Sequence, residues 1–454
     1  MHPVDIGIVV IFLVWMLWLG LRQKASENSG EHYLLGGRML TLPAFVATTV
    51  STWYGGILGV GEYTYLYGIS NWLVFGVPYY AGAILFALLL SKRARQGKSL
   101  SIPHRFEVSY GNRAGKIAAV LIFLTTIPGA YMLIMGILGA QVFGIGETAG
   151  IAASAVFVVA YLWRGGFRAV VRTDALQIAL MFGGFAFLSL FLLMTYGLSP
   201  LEQLPAAHLS ATGGQPIGSI LVWYVIALST LAEPNFFQRC FAAKTPQIAR
   251  NGLLISVFCW LCFDAMTTLC GLYARALLPD LPNALYAFPE LARHVLPLGL
   301  TGIFFTGLFA TVLSTLDSNL FTTATTFGRD LWRGSDDNRT KHKTRIGLIV
   351  GAIAASCIAM ASGSVVQIWK MFGSISAASL LIPILSSYYP RLKMSENGAV
   401  MVMIFGSVIT FAWYVIKWMI GRNLLGLEPL FVGFAASGIC FLIDKMMVRI
   451  KRKP

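Results

Sequence analysis

A chain of 454 residues that is 57% hydrophobic and only 12% charged, with a mean hydropathy of +0.72, excludes a soluble domain and describes a polytopic membrane protein. The formal net charge of +15 reads as a topology signal and a contact with lipid headgroups, not as a nucleic-acid footprint. No Walker sequence, no HExxH motif and no Ser-His-Asp set occurs, so an enzyme or an organic cofactor is not expected.

Apolar runs of about 20 residues fall at 4–21, 43–67, 70–91, 117–143, 147–163, 170–196, 216–233, 251–277, 296–327, 345–362, 366–389, 398–420 and 424–444, thirteen candidate spans. With the amino terminus outside, all but five of the 34 basic residues fall on the cytoplasmic side, clustered at 92–116, 329–345 and 445–453. The exceptions are Arg275, Arg293, Lys370, Lys417 and Arg422. The first run has no positive segment before it and no small-residue cleavage site after it, which marks a retained span and not a signal peptide. The six cysteines lie in or near predicted helices without a second pair or a histidine cluster, the pattern of small apolar packing residues.

In chain order, the first unusual run is 40–62. Four glycines between Gly55 and Gly61 disfavour an unbroken helix, since each costs up to about 1 kcal/mol against alanine. Two readings stand. The helix is interrupted near its middle, freeing backbone groups for an ion or solute site at the bilayer midplane, or the glycines form a surface for close helix packing. Residues 101–111 carry the pattern of a short interfacial helix. Pro128 is expected to kink the following span.

Next comes Arg164-Gly-Gly-Phe-Arg-Ala-Val-Val-Arg-Thr-Asp-Ala-Leu-Gln177, which sets Asp174 and Gln177 in the first turns of a span. A carboxylate at that depth is costly unless it is paired or functional. The structural alternative is a salt bridge to Arg168 or Arg172. The span at 216–233 ends in Glu233-Pro-Asn235, where the proline stops or kinks the helix, and Asp264 lies mid-span in the next one. For both acids, hydrogen bonding to neighbouring helices stands beside a functional role.

Residues 310–330 are the chemical centre of the sequence. At 100° per residue, Thr311, Ser314, Thr315, Ser318, Thr322 and Thr325 share one helical face, with Asp317 at its edge. In hydrocarbon such a stripe must face another helix, a water-filled cavity or an ion. Neutral hydroxyls beside a carboxylate suit a hard monovalent cation, while back-bonding to the same helix is the alternative. No repeat of 20 to 50 residues occurs; the repeat to seek is two five-span groups of opposite orientation, opened by the helices at 43–67 and 216–233.

Three segments resemble motifs of the sodium/solute symporter family, which includes sugar, proline, pantothenate and sialic acid carriers. Residues 165–177 resemble its glycine-pair segment, Gln238-Arg-Cys-Phe-Ala-Ala-Lys244 is similar to its Gln-Arg, Ala-Ala-Lys turn, and residues 310–330 resemble its eighth core helix. The likeness covers residues 33 to 389. It implies an all-α LeuT-type fold: an extra helix and loop over 1–42, five-helix repeats over 43–196 and 197–391, and two further helices with a basic tail over 392–454. It also implies sodium-coupled symport of a small organic solute by alternating access, with Na+ as coupling ion and the only metal.

Carried over by residue, the carbonyls of Ala47, Val50 and Thr311 and the hydroxyls of Ser314 and Thr315 would hold sodium. Asp174, Asp317 and Ser318 would hold a second cation or a proton; Asp317 departs from the serine of family members with a second sodium. The solute would touch Thr49, Ser51, Thr52, Trp53, Tyr54, Glu233 and Asn235. A proton-coupled carrier using Asp317, Glu233 or Asp174 is the main alternative. A solute sensor is disfavoured, because only a short tail follows Asp444. The short termini point to a bacterial inner membrane, with the carboxyl terminus cytoplasmic.

Overall fold

The computed structural model describes residues 1–22, 30–97, 99–332 and 337–450. The residues at 23–29, 98, 333–336 and 451–454, which belong to the first loop, the basic loop, the charged loop at 329–345 and the basic tail, lie outside this description. Among the described residues the chain is helical without strands, with one isolated parallel bridge between Leu40 and Ala243.

Among the described residues the helices of ten residues or more, in order and with kinked limbs joined, are α1 (Pro3–Arg22), α2 (Leu42–Ser51), α3 (Ile57–Tyr67), α4 (Trp72–Gln96), α5 (Asn112–Phe143), α6 (Glu147–Tyr196), α7 (Ile217–Ala242), α8 (Pro246–Leu277), α9 (Leu300–Leu331), α10 (Thr340–Ala361), α11 (Val365–Tyr388), α12 (Glu396–Ile420) and α13 (Pro429–Ile450). Eleven helices among the described residues are long and apolar enough to cross a membrane. The short pair α2/α3 and the first limb of α6 account for the other two segments read from the sequence.

Three irregularities place the interior groups. Between α2 and α3 the chain leaves the helix over residues 52–56, so 43–67 is an interrupted helix. In α7 an α-helical limb to Ile226 tightens into a 3₁₀ turn over Ala227–Ala232, passes through an extended Glu233 (ψ 112°), and restarts at Pro234. In α6 the backbone of Gly166 takes φ +56°, a left-handed conformation that glycine adopts without a Cβ penalty, and Tyr33 packs against it. The expected kink in α5 is present at Pro128.

Helix α9 is the innermost element: 89% of its apolar stretch is buried, against 28% for α1 and 22% for α13. That ordering follows from composition. The hydroxyl-rich helix is enclosed by others, while α1 and α13 turn side chains such as Trp18, Ile439 and Met446 outward, as a lipid-facing rind requires. Asp5 of α1 accepts hydrogen bonds from the Gly299 and Gly302 amides at 2.8 and 2.9 Å, which occupies orphan donors at the start of α9.

At the basic end, arginines tie the helix ends together. Arg93 donates to the Tyr388 carbonyl at 2.9 Å and lies over the Tyr389 ring, Arg105 bonds the Ser387 carbonyl, and Arg95 bonds that of Ala243. The helix at Ile102–Tyr110 forms where the sequence placed one, seating Phe106 and Tyr110 inside the protein and leaving Val108 exposed.

Candidate functional site

The oxygen stripe of α9 divides into three kinds of group. Thr311 and Thr325 bond back to their own helix, at Gly307 O (2.7 Å) and Thr322 O (3.0 Å), the unremarkable behaviour of helical threonine. Thr322 and Asn319 reach α7 instead: Thr322 donates to Asn235 Oδ1 at 3.1 Å, and Asn235 Nδ2 donates to Asn319 Oδ1 at 3.1 Å. Ser314, Thr315 and Ser318 face the end of α2. Thr315 Oγ1 lies 3.5 Å from Ser51 O, and Ser314 Oγ is fully buried without a hydrogen-bond partner.

The crossing of α2 and α9 is close because glycine permits it. A Cβ on Gly55 would overlap the Thr315 side chain, and one on Gly56 would overlap the ring of Trp369. The two readings of the glycine run are therefore both realised: the helix is interrupted, and the glycines are where other elements touch its backbone. Of the sodium set inferred by resemblance, Val50, Thr311, Ser314 and Thr315 are all buried and Thr315 reaches α2 at Ser51 O, while Ala47 lies one turn back on α2 at intermediate exposure.

Asp174 is fully buried, and its Oδ2 accepts from Thr48 Oγ1. Neither Arg168 nor Arg172 forms its ion pair; Arg168 bonds the Gly36 carbonyl at 3.2 Å. The partner is Arg239 of α7, whose Nη2 lies 3.9 Å from Asp174 Oδ2. Among the described residues Asp174 Oδ1 has no well-aligned hydrogen-bond partner, although the Ser51 and Ser314 hydroxyls lie close to the same carboxylate. One turn along α6, the Gln177 amide is buried with both its oxygen and its nitrogen unpaired. Asp317 accepts hydrogen bonds from Tyr161 and, at 3.4 Å, from Ser318, and it lies close enough to Asp174 and Arg239 to feel both charges.

Arg239 is the residue that sequence reasoning missed. It sits inside a quoted motif, yet it was counted among the cytoplasmic bases. It is wholly buried, and its Nη2 donates to Thr52 (2.7 Å), Ser318 (2.8 Å) and Thr48 (3.1 Å) while Nη1 reaches Asn235 at 3.4 Å. It thus stands among Asp174, Asp317 and Ser318, the groups assigned to a second cation. The signal was available: a guanidinium in a span needs a carboxylate, and Asp174 and Asp317 are the buried acids on the facing helices.

Next to this cluster is a cavity of about 210 Å³. Thr49, Thr52, Trp53, Tyr54, Glu233 and Asn235 line it, which accounts for every inferred solute contact except Ser51; that side chain is buried and turned to the Thr48 carbonyl at 3.4 Å. Arg239 and Asp264 also reach the wall. Asp264 is bonded by the Tyr80 hydroxyl, so its structural reading holds even though it faces the cavity. Glu233 caps the restarted limb of α7, its Oε1 accepting from the Asn235 amide at 3.2 Å and from Asn235 Nδ2 at 3.0 Å. The Trp53 ring stacks on Phe236 at 5.1 Å, so the two helix interruptions meet.

The chain is similar to known proteins over most of its length. A family model described as the sodium:solute symporter family matches residues 33–406. A sodium/pantothenate symporter of Haemophilus influenzae is 24% identical, with 98% of this chain and 97% of that protein aligned. The osmoregulated proline transporter OpuE of Bacillus subtilis is 25% identical over 98% of this chain and 94% of its own. Among solved structures, a Na+-coupled sialic acid symporter in a substrate-bound outward-open state superposes with a TM-score of 0.81 at 16% identity, covering 99% and 98% of the two chains. At that identity the likeness carries the fold alone, and the fold is LeuT-type.

Proposed function

Because the chain belongs to the sodium:solute symporter family, we propose that it couples uptake of a small organic solute to one sodium ion bound where α2 crosses α9. The observation that carries this reading is the charge balance of the buried cluster. Among the described residues, Asp174 and Asp317 face one guanidinium, Arg239, and the Ser51 and Ser314 hydroxyls gather beside the same Asp174 carboxylate. Buried charge is tolerated only when it is matched, and hard oxygen donors suit a hard monovalent cation.

The carbonyls of Ala47, Val50 and Thr311 and the hydroxyls of Ser314 and Thr315 would hold the ion. Asp174, Asp317 and Ser318 would hold Arg239 in place of a second cation. Sodium bridges two helices that separate when the inner side opens, so it favours the state in which the solute cavity is assembled. Ion and solute prefer that same state, and each therefore raises the affinity for the other. The repeats would run over 43–196 and 197–391 in a bacterial plasma membrane, the basic loops facing the cytoplasm.

The test is thermal stability of the purified protein in sodium against potassium at equal ionic strength. Ser314→Ala and Thr315→Ala are expected to raise the half-saturating sodium concentration roughly ten- to a hundredfold, as loss of one ligand worth about 1.5 to 3 kcal/mol predicts. An unchanged sodium response in both variants would remove the site from α9. Stability that ignores sodium and follows pH would instead support the proton-coupled reading through Asp317, Glu233 or Asp174.

A further inference from the structure

Resting on the reading of the cavity as the solute site, we propose that the solute carries a cationic nitrogen, either a protonated amine or a quaternary ammonium. The charged side chains on the cavity wall are Glu233, Asp264 and Arg239. Arg239 is committed to Asp174, Thr48, Thr52, Ser318 and Asn235, and Asp264 to Tyr80. Glu233 is different. Its Oε1 caps α7, yet the residue is only partly covered by protein and borders the cavity. The charge that the wall offers a solute is therefore negative.

The rest of the wall fits the same partner. Trp53, Tyr79, Tyr131, Phe236 and Trp369 border the cavity, and the Glu233 carboxylate lies close enough to the Tyr79 and Tyr131 phenols to interact with them electrostatically. A carboxylate among aromatic rings attracts an organic cation twice, through its charge and through the ring quadrupoles. Two hydroxyls on the wall, Thr49 Oγ1 and Thr230 Oγ1, are about 99% buried without a protein partner and supply hydrogen bonds to the remainder of the solute.

Other solute classes fit less well. A sugar presents many hydroxyls, whereas the amides of Asn235 and Asn319 are spent on Glu233, the Thr315 carbonyl and each other. The hydroxyls of Thr125 and Thr126 bond back into α5. A purely anionic solute meets Glu233 and finds no uncommitted base on the wall. The volume of about 210 Å³ lies below that of pockets for drug-sized ligands and accommodates a solute of the size of an amino acid or choline.

The experiment holds sodium constant and follows thermal stability of the purified full chain with matched probes. These are choline against its uncharged carbon isostere, and proline against cyclopentanecarboxylate, with glucose and lactate as polyol and anion. Stabilisation by a nitrogen-bearing probe, not by its isostere, is expected. Glu233→Gln, which keeps an oxygen for the Asn235 cap, should raise the half-saturating probe concentration roughly tenfold or more, and Tyr131→Leu should raise it severalfold, both with the sodium shift retained. Equal stabilisation by the isostere, stabilisation by glucose or lactate alone, no response to either nitrogen probe, or an unchanged Glu233→Gln response overturns the proposal. Loss of the sodium shift in the unmodified protein would instead overturn the ion site and leave the probe comparison standing.

Discussion

Two helices in the core are interrupted, and they are interrupted by opposite means. Between α2 and α3 the break is made by glycine and surrounded by neutral oxygen: Thr48, Thr49, Ser51 and Thr52 lie beside it, and Thr315 and Trp369 pack directly on the Gly55 and Gly56 backbone. In α7 the break is made by proline and carries charge, with Glu233 at the bend and Arg239 one and a half turns further on. The glycine break admits close approach of another helix, whereas the proline break turns a carboxyl and a guanidinium inward. The cavity is lined from both breaks, by Thr49, Thr52, Trp53 and Tyr54 of the first and Glu233 and Asn235 of the second. Arg239 joins them, because its guanidinium bonds Thr48 and Thr52 of the first break from the limb of the second.

If the two breaks are joined in that way, cutting the link is the largest perturbation available. Arg239→Met leaves Asp174 buried without its partner, which is expected to cost about 3 to 5 kcal/mol. Thermal unfolding of the purified variant should show the loss, and uptake should fail. Arg239→Met combined with Asp174→Asn should recover part of the stability, since the uncompensated charge is then gone. No recovery in the double variant would mean that Arg239 acts chiefly through its bonds to Thr52 and Ser318.

A smaller effect separates the glycine break from ordinary helical glycine. Gly55→Ala and Gly56→Ala each put a methyl group into Thr315 or Trp369, so overpacking of about 1 to 3 kcal/mol is expected. Gly183→Ala in α6 meets nothing within 4 Å and should be neutral or stabilising by up to about 1 kcal/mol. Equal melting temperatures for all three variants would show that the break tolerates a side chain and that the close approach is unimportant.

The break and the stripe are legible in the sequence for a physical reason. Glycine density and hydroxyl periodicity are local signals, and both survive without knowing which helices are neighbours. Identifying partners was harder. Sequence proximity offers Arg168 or Arg172 as the structural alternative for Asp174, but the left-handed Gly166 turns the chain and Arg168 reaches the Gly36 carbonyl. The true partner is 65 residues away, on a helix whose inward rotation is set by the proline break. Ser51 was assigned to the solute with its neighbours, and helical rotation instead points it back at Thr48. For Thr311 and Thr325, periodicity gives the face correctly but not the competition from their own helix carbonyls.

The outer ends of the helices give the weakest and most conditional contrast with the core. Lys370 and Lys417, two of the bases left outside by the topology reading, both meet Glu428 in the connection between α12 and α13, at 2.9 and 3.7 Å. Partial burial alone would raise the Glu428 carboxyl, but the hydrogen bond from Lys370 and the charges of both lysines outweigh it and hold the group below its ordinary value. A depressed carboxyl contributes stability above its unfolded pKa, about 4.3, and loses that contribution as pH falls through the folded value. Glu428→Gln should therefore cost a few tenths to about 1 kcal/mol at neutral pH, the range for partly exposed ion pairs. The gap between variant and parent should narrow in high salt and close as pH falls through the folded value. Arg239→Met should keep its deficit in high salt, because buried pairs are poorly screened. A salt-insensitive Glu428→Gln deficit would place that connection with the core and remove the contrast.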